Sequence, residues 1–415
     1  MSADAVAPAD GWPTRLRALG RAVDLRMASM LLALVLIWIA LQFLTDGIFL
    51  SARNLYNLSI QSSAVAIMAC GMVFVIVARQ IDLSVGSLLA FTGVLTAYAQ
   101  VTWLEAYPES GWMLSILLGL AVGAAVGLFQ GWWVAYRGIP AFVVTLAGFL
   151  MYRGAAFLVA DGQTIAPLDE TYQLLGGGAD GSLGVAWSWA LAAAAALWVV
   201  WYVWHTRRER AKYSATPVPA WLDVAKIVLA CAAIATFVAV MASYPNLAKM
   251  DDAGNAPGMG IGVPVLILII VVSGLTFLSH RTRFGRYVFA YGGNPEAALL
   301  AGVNTRRVLV AIFMLMGVLS ALAAVITTAR LNAGTNSLGQ LAELYVIAAA
   351  VIGGTSLSGG LGSVPGAVVG ALVIQSLENG MVLLDVSSAK RQIVIGLVLI
   401  AAVWLDVVYT RRRSP

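Results

Sequence analysis

The sequence is poor in most of what a soluble protein uses. Charged residues fill 11% of its 415 positions, against about 25% in an average soluble domain, while the AVILMFWYC set fills 60%. So few charges cannot cover a compact body in water, and lipid must face most of the surface. A soluble enzyme, a nucleic-acid binder and a disordered scaffold are excluded. The net charge of +5 does not revive nucleic-acid binding, because the bases cluster at the ends of apolar segments. The two cysteines, Cys70 and Cys231, sit inside apolar runs and build neither a disulfide framework nor a thiolate metal site. The two histidines, His205 and His280, stand at segment ends beside arginines, as interfacial residues do, and no metal site is expected. Only four lysines occur and none follows a glycine, so no G-x-x-x-x-G-K-[ST] loop can hold ATP phosphates. H-E-x-x-H is missing, and no nucleophile–base pair is visible. No catalytic residue is expected, and no cofactor bound by this chain.

What is present is a series of long apolar runs. A helix crossing the hydrocarbon needs roughly 17–25 apolar residues. Such runs lie at about 27–44, 58–78, 83–103, 112–135, 140–160, 185–204, 222–244, 261–280, 308–329 and 391–410. The tract 343–381 is broken by TSLSGGLGSVPG and splits into two spans, the first (343–355) shorter than a full crossing. The expected fold is an all-α polytopic membrane protein of about twelve helices. Residues 1–26 hold four arginines and no cleavage pattern, so they read as a cytoplasmic tail before an uncleaved anchor. With that tail inside, eighteen bases fall in cytoplasmic segments and five outside. The positive-inside rule therefore places both termini, including the tail 411–415, in the cytoplasm.

Glycines recur every fourth residue at Gly119, Gly123, Gly127 and Gly131, and again at Gly362, Gly366 and Gly370. That spacing puts them on one helix face, where backbones approach closely. The seam is either internal packing or a dimer contact. Trp132, Trp133, Tyr136, Trp201, Tyr202 and Trp204 mark span ends, where an aromatic belt is the default and sugar stacking the alternative.

The polar residues within or bordering spans, Asp82, Ser84, Arg153, Glu343, Glu378 and Asn379, are the candidates for a translocation path or gate. Asp82 opens a span and suits either a helix cap or a gate at the cytoplasmic mouth. Arg153 lies mid-span and demands a polar partner or an aqueous cavity. Deep carboxylates are scarce, which disfavours ion coupling. The informative cytoplasmic stretch is 281–307. Asn294 is a good N-cap, Pro295 suits the first helical position, and Glu296 favours the positive helix end. Ala297–Ala301 extend the helix and Gly302 stops it. The result is a helix of about two turns, too short to stand alone in water.

Glu296-Ala297-Ala298 with Gly302 forms E-A-A-x-x-x-G, which resembles the EAA coupling loop of ABC importer permeases. Ile81-Asp-Leu-Ser-Val-Gly-Ser87, Phe284-Gly-Arg-Tyr287 with Gly292-Gly-Asn294, and Val351-Ile-Gly-Gly-Thr-Ser-Leu-Ser-Gly-Gly360 resemble the ribose/xylose-type monosaccharide permeases. Thr45-Asp-Gly47, Leu50-Ser-Ala-Arg-Asn54, Gly131-Trp-Trp-Val-Ala-Tyr-Arg137 and Val144-Thr-Leu-Ala-Gly148 are similar to the D-xylose branch. Ribose-type members are shorter, which implies a core of ten helices with a two-helix insertion here at about 183–245. One motif departs: Glu343-Leu-Tyr-Val-Ile-Ala-Ala349 has Tyr345 where the family often has an acid. The resemblance implies a permease domain over 27–410 in the bacterial inner membrane, importing D-xylose or a related sugar. It implies as partners a second permease copy, an ABC ATPase that uses ATP and Mg, and an extracytoplasmic sugar-binding protein. It assigns ATPase coupling to Arg286, Asn294, Pro295, Glu296, Ala297, Ala298 and Gly302. The rival reading is a stand-alone secondary sugar carrier, and a membrane-embedded enzyme comes third.

Overall fold

The computed structural model describes residues 25–107, 109–212 and 219–411. The tails expected at 1–26 and 411–415 lie outside these residues except at their inner edges. Among the described residues the chain is helical, with three isolated bridges and no strand. The helices are α1 (Leu25–Leu44), α2 (Ala52–Val77), α3 (Val85–Tyr98), α4 (Gly111–Arg137), α5 (Ala141–Ala160), α6 (Gly184–Lys212) and α7 (Ala220–Ser243). They continue as α8 (Val263–Arg281), α9 (Arg283–Gly293), α10 (Pro295–Leu300), α11 (Thr305–Leu331), α12 (Ala342–Ile352), α13 (Val364–Leu383) and α14 (Ser388–Arg411).

Among the described residues, ten helices are long and apolar enough to cross a membrane, one of them α3 with the π-helical turn Ala99–Trp103 that follows it. This is fewer than the twelve expected. Of the other two expected spans, α14 has 24 residues and runs to the edge of the described chain, and α12 is too short. With 11 residues, α12 rises only about 16 Å at 1.5 Å per residue, half of a bilayer core of about 30 Å. Gly353, Gly354 and the break that follows end it early.

Helix α2 forms the axis, buried along nearly its whole length. Around it stand α8, α11, α12 and α13, with a smaller contact from α7, while α3 packs on α4, α5 and α11. Helix α1 packs on α13, and α14 on α12 and α13. Helices α6 and α7 pair with each other, and α7 also touches α2. Arg207 of α6 forms a 3.0 Å ion pair with Asp223 of α7.

Both glycine rows serve packing inside the chain. A Cβ at Gly123 or Gly127 would meet the backbone of α11 at Gly317 and Phe313, and one at Gly131 would meet Val310. Gly119 faces Thr96 of α3 instead. In the second row, Gly366 and Gly370 lie on the carbonyls of Gly353 and Ala349 of α12, while Gly362 lies against Val73 and Val77. Interior side chains would hold these backbones apart.

Candidate functional site

A cavity of about 370 Å³ opens between the central helices. Its walls come from the middle of α2 (Gln61, Val65), the last turns of α11 (Thr327, Arg330) and the C-terminal half of α13 (Gln375, Glu378). Thr335 and residues 337–340 line it as well, so the connection between α11 and α12 dips into the bundle rather than running over it. Gly339 has φ +63°, and a Cβ there would meet the backbone of Gly86 at the start of α3. The dipped backbone needs partners, because water cannot serve it from the lipid side. Arg153 supplies two: its Nη1 donates to the carbonyls of Asn336 (2.8 Å) and Leu338 (2.7 Å). The mid-span arginine thus holds backbone in place, and Glu343 is a nearby charge.

A buried polar cluster lies at the start of α3. The Asp82 carboxylate accepts from the Ser84 amide at 2.8 Å and the Ser84 hydroxyl at 2.6 Å. Gln130 of α4 donates to the Ser84 oxygen at 2.8 Å. All three side chains are buried. Asp82 thus bonds the N-cap residue Ser84 two positions on, while α3 itself has no side-chain cap hydrogen bond. Glu343 is also buried, with Oε2 unpartnered and directed at Gly86.

Glu378 and Asn379 part company. Glu378 pairs with Arg391 of α14 at 2.7 Å, beside Tyr345. Asn379 exchanges hydrogen bonds with Asn54 of α2 (2.9 and 3.1 Å) and does not line the cavity. It ties helices together. The six path candidates therefore fall into four places: Asp82 and Ser84 before α3, Arg153 and Glu343 at the dip, Glu378 in the pair with Arg391, and Asn379 in the contact with Asn54.

At the far end from the cavity lies the 281–307 segment. Thr282 caps α9 through the Gly285 amide, and Asn294 caps α10 by accepting from Ala297 at 3.0 Å. Pro295 occupies the first turn and Gly302 has φ +80°. Arg286, Asn294, Glu296 and Ala297 are exposed, Pro295 is half-buried, and Ala298 anchors α10 to the bundle. Leu299 and Leu300 project outward, at 61% and 89% exposure. That is a small apolar face left uncovered by the described residues.

Arg79 joins this segment to the connection between α2 and α3, a residue that composition marked only as one more cytoplasmic base. It stands just past α2 with φ +60°. Its Nε donates to the Gly292 carbonyl and its Nη2 to the Gly293 carbonyl, each at 2.7 Å. These carbonyls end α9, where the helix dipole favours a cation. Burial pushes the Tyr291 hydroxyl's pKa up, and the neighbouring Arg79 pulls it down. The amide of Gly360 donates to the carbonyl of Val77 at 2.9 Å, so the break after α12 meets the same point. Gln61, Gln130 and Gln375 also escaped sequence reading. Amides within apolar runs were their available signal, and Arg79 had none, since its partners are main-chain atoms. Among the described residues no group of acids, cysteines and histidines could hold a metal.

The chain matches the family described as branched-chain amino acid transport system / permease component over residues 54–208 and 174–403. It is 41% identical over 387 residues to the xylose transport system permease protein XylH of Haemophilus influenzae, covering 93% of this chain and 97% of the relative. It is 38% identical to XylH of Escherichia coli K12 over 408 residues, 95% and 94% of the two chains. The ribose import permease protein RbsC of the same strain is 31% identical over 373 residues, 90% and 91% of the two. No solved structure gives a significant match.

Proposed function

The chain belongs to the branched-chain amino acid transport system / permease component family, and on that premise we propose that it is the membrane subunit of an ATP-driven importer of D-xylose or a related monosaccharide. It is a multi-pass protein of the bacterial inner membrane. The observation that carries the reading is identity to xylose permeases along nearly the entire chain. The cavity's chemistry supports a neutral polyol over an amino acid. Gln61, Thr327 and Gln375 offer amides and a hydroxyl, whereas a zwitterion needs free charges of both signs and Glu378 is already paired with Arg391.

In this reading the cavity faces outward and receives sugar from a binding protein. Arg330, Tyr345 and Glu378 border the mouth, the 332–341 dip forms the floor, and Asp82, Ser84 and Gln130 close the inner side. A separate ATPase, using ATP and Mg, docks on α10, with Arg286, Asn294, Pro295, Glu296, Ala297, Ala298 and Gly302 forming the coupling surface. Leu299 and Leu300 supply apolar contact that a six-residue helix needs from a partner. Arg79 then carries the ATPase's motion to the Asp82 cluster. Twelve helices, with the α6–α7 pair inserted in a core of ten and both termini cytoplasmic, remain the topology that the distribution of bases favours. A second copy of the permease completes the complex.

The test is uptake of labelled xylose, ribose, galactose and leucine by vesicles holding permease, ATPase and binding protein. ATP-dependent uptake of xylose is expected. Leucine uptake would overturn the substrate class. Uptake by the permease alone, driven by an ion gradient, would make the chain a secondary carrier.

A further inference from the structure

A groove of about 470 Å³ runs along the lipid-facing surface between α4 and α11, away from the cavity. Its origin is the glycine row. Gly127 and Gly131 let α11 approach so closely that larger side chains splay to either side of the seam. Leu128, Phe129 and Trp132 form one bank, Val310 and Met314 the other. The groove ends at Tyr136 and Arg307, where α4 finishes and α11 begins.

That end is positively charged. Besides Arg307, the Arg137 guanidinium lies 4.6 Å from the centre of the Trp132 ring and that of Arg306 5.7 Å from the Tyr136 ring. Residues 128–137 and 304–314 contain no acidic side chain. Among the described residues, none of the three arginines is ion-paired. The N-terminus of α11 adds its partial positive charge at the same place. The aromatic rings hold two guanidiniums at the height of a membrane interface, where Trp and Tyr settle.

We propose that this groove is a binding site for one anionic phospholipid, with an acyl chain between Phe129 and Met314 and its phosphate on Arg306 and Arg307. Charge selects the occupant. A zwitterionic lipid would bring its cationic head toward three arginines. A second copy of this chain, related by a two-fold axis across the groove, would set six guanidiniums face to face. An anionic headgroup satisfies them, and basic pockets between helices on the cytoplasmic side have the form that takes such lipids. The placement rests on the topology proposed above, but the binding does not depend on which solute is imported.

The experiment uses the full-length permease in nanodiscs of phosphatidylcholine. Brominated phosphatidylglycerol or equally brominated phosphatidylcholine is added, and the component of tryptophan quenching lost in Trp132→Phe is measured. Phosphatidylglycerol should quench this component with an apparent affinity about tenfold or more above phosphatidylcholine, as two adjacent bases imply. Arg306→Gln with Arg307→Gln should abolish the preference, and the corresponding lysine pair should retain it. Arg208→Gln is the control, since Arg208 also lies over a tryptophan, 3.5 Å from the Trp204 ring, but without a groove. Equal quenching by both lipids in the wild type would overturn the proposal, as would loss of the preference in the control. Disulfide formation between Trp132→Cys residues of two copies would place a second chain there instead.

Discussion

The Arg79 guanidinium bonds the end of α9 to the approach of α3. Hydrogen bonds from charged donors contribute about 1.5–3 kcal/mol each. Arg79→Gln should therefore lower sugar-stimulated ATP hydrolysis about tenfold while the complex still assembles. Arg79→Lys, with one donor head for two carbonyls, should fall between. Stimulation at wild-type level in Arg79→Gln would remove the residue from the coupling route. Arg153 makes a different kind of claim. Arg153→Met keeps the length of the side chain and strips the carbonyls of Asn336 and Leu338 of their donor. A stability loss of about 1–3 kcal/mol is expected, read as a lowered Tm in detergent. The sequence marked Arg153 as in need of a partner but could not name one. Carbonyl acceptors belong to every residue and leave no trace in a residue's identity.

Elements whose cause is local were readable in advance. The cap, proline and glycine of α10 lie within nine consecutive residues, 294–302, and the helix found there is bounded by Asn294 and ends just short of Gly302. A Cβ at Gly302 meets nothing within 4 Å, so its φ of +80° is the sole obstacle to substitution. Gly302→Val should cost about 1–3 kcal/mol of local strain and suppress sugar-stimulated hydrolysis, whereas Gly302→Asn, tolerant of that region, should retain most of it. Wild-type hydrolysis in the valine variant would end the coupling assignment. The glycine rows were legible as a face, though which helix they met was not. Gly127→Leu should push α4 off α11, because its side chain would enter the Phe313 backbone. Loss of folded permease from the membrane fraction checks this, with Gly154→Leu, which faces open space, as the control. The shortness of α12 was legible from its glycines. The dip before it was not, because Leu331–Leu341 contains no break that distinguishes an inward course from a surface loop.

For the whole molecule, the apolar runs located the helices, and most errors were at their ends. Helix α2 begins at Ala52 rather than near 58, because Ser51 caps it through Asn54. Helix α6 continues eight residues past 204 to Lys212, because nothing in its basic end stops a helix. Sidedness is the global property still open to direct measurement. An impermeant thiol reagent added outside intact cells should modify Glu170→Cys and spare Ala301→Cys. Both positions are exposed, so the reverse pattern would invert the topology.

The dip between α11 and α12 has a consequence for how such a protein can change. Part of the cavity is made of main chain, held by Arg153 and wedged against Gly86. Main-chain groups are the same whichever amino acid occupies a position. Point mutation can remove this floor by breaking its supports, but it cannot exchange one set of peptide groups for another. A lineage that adopts a new sugar therefore has its freedom in the side chains around the rim, at positions such as Gln61, Tyr345 and Gln375. The floor should drift far less than the rim among descendants that transport different solutes.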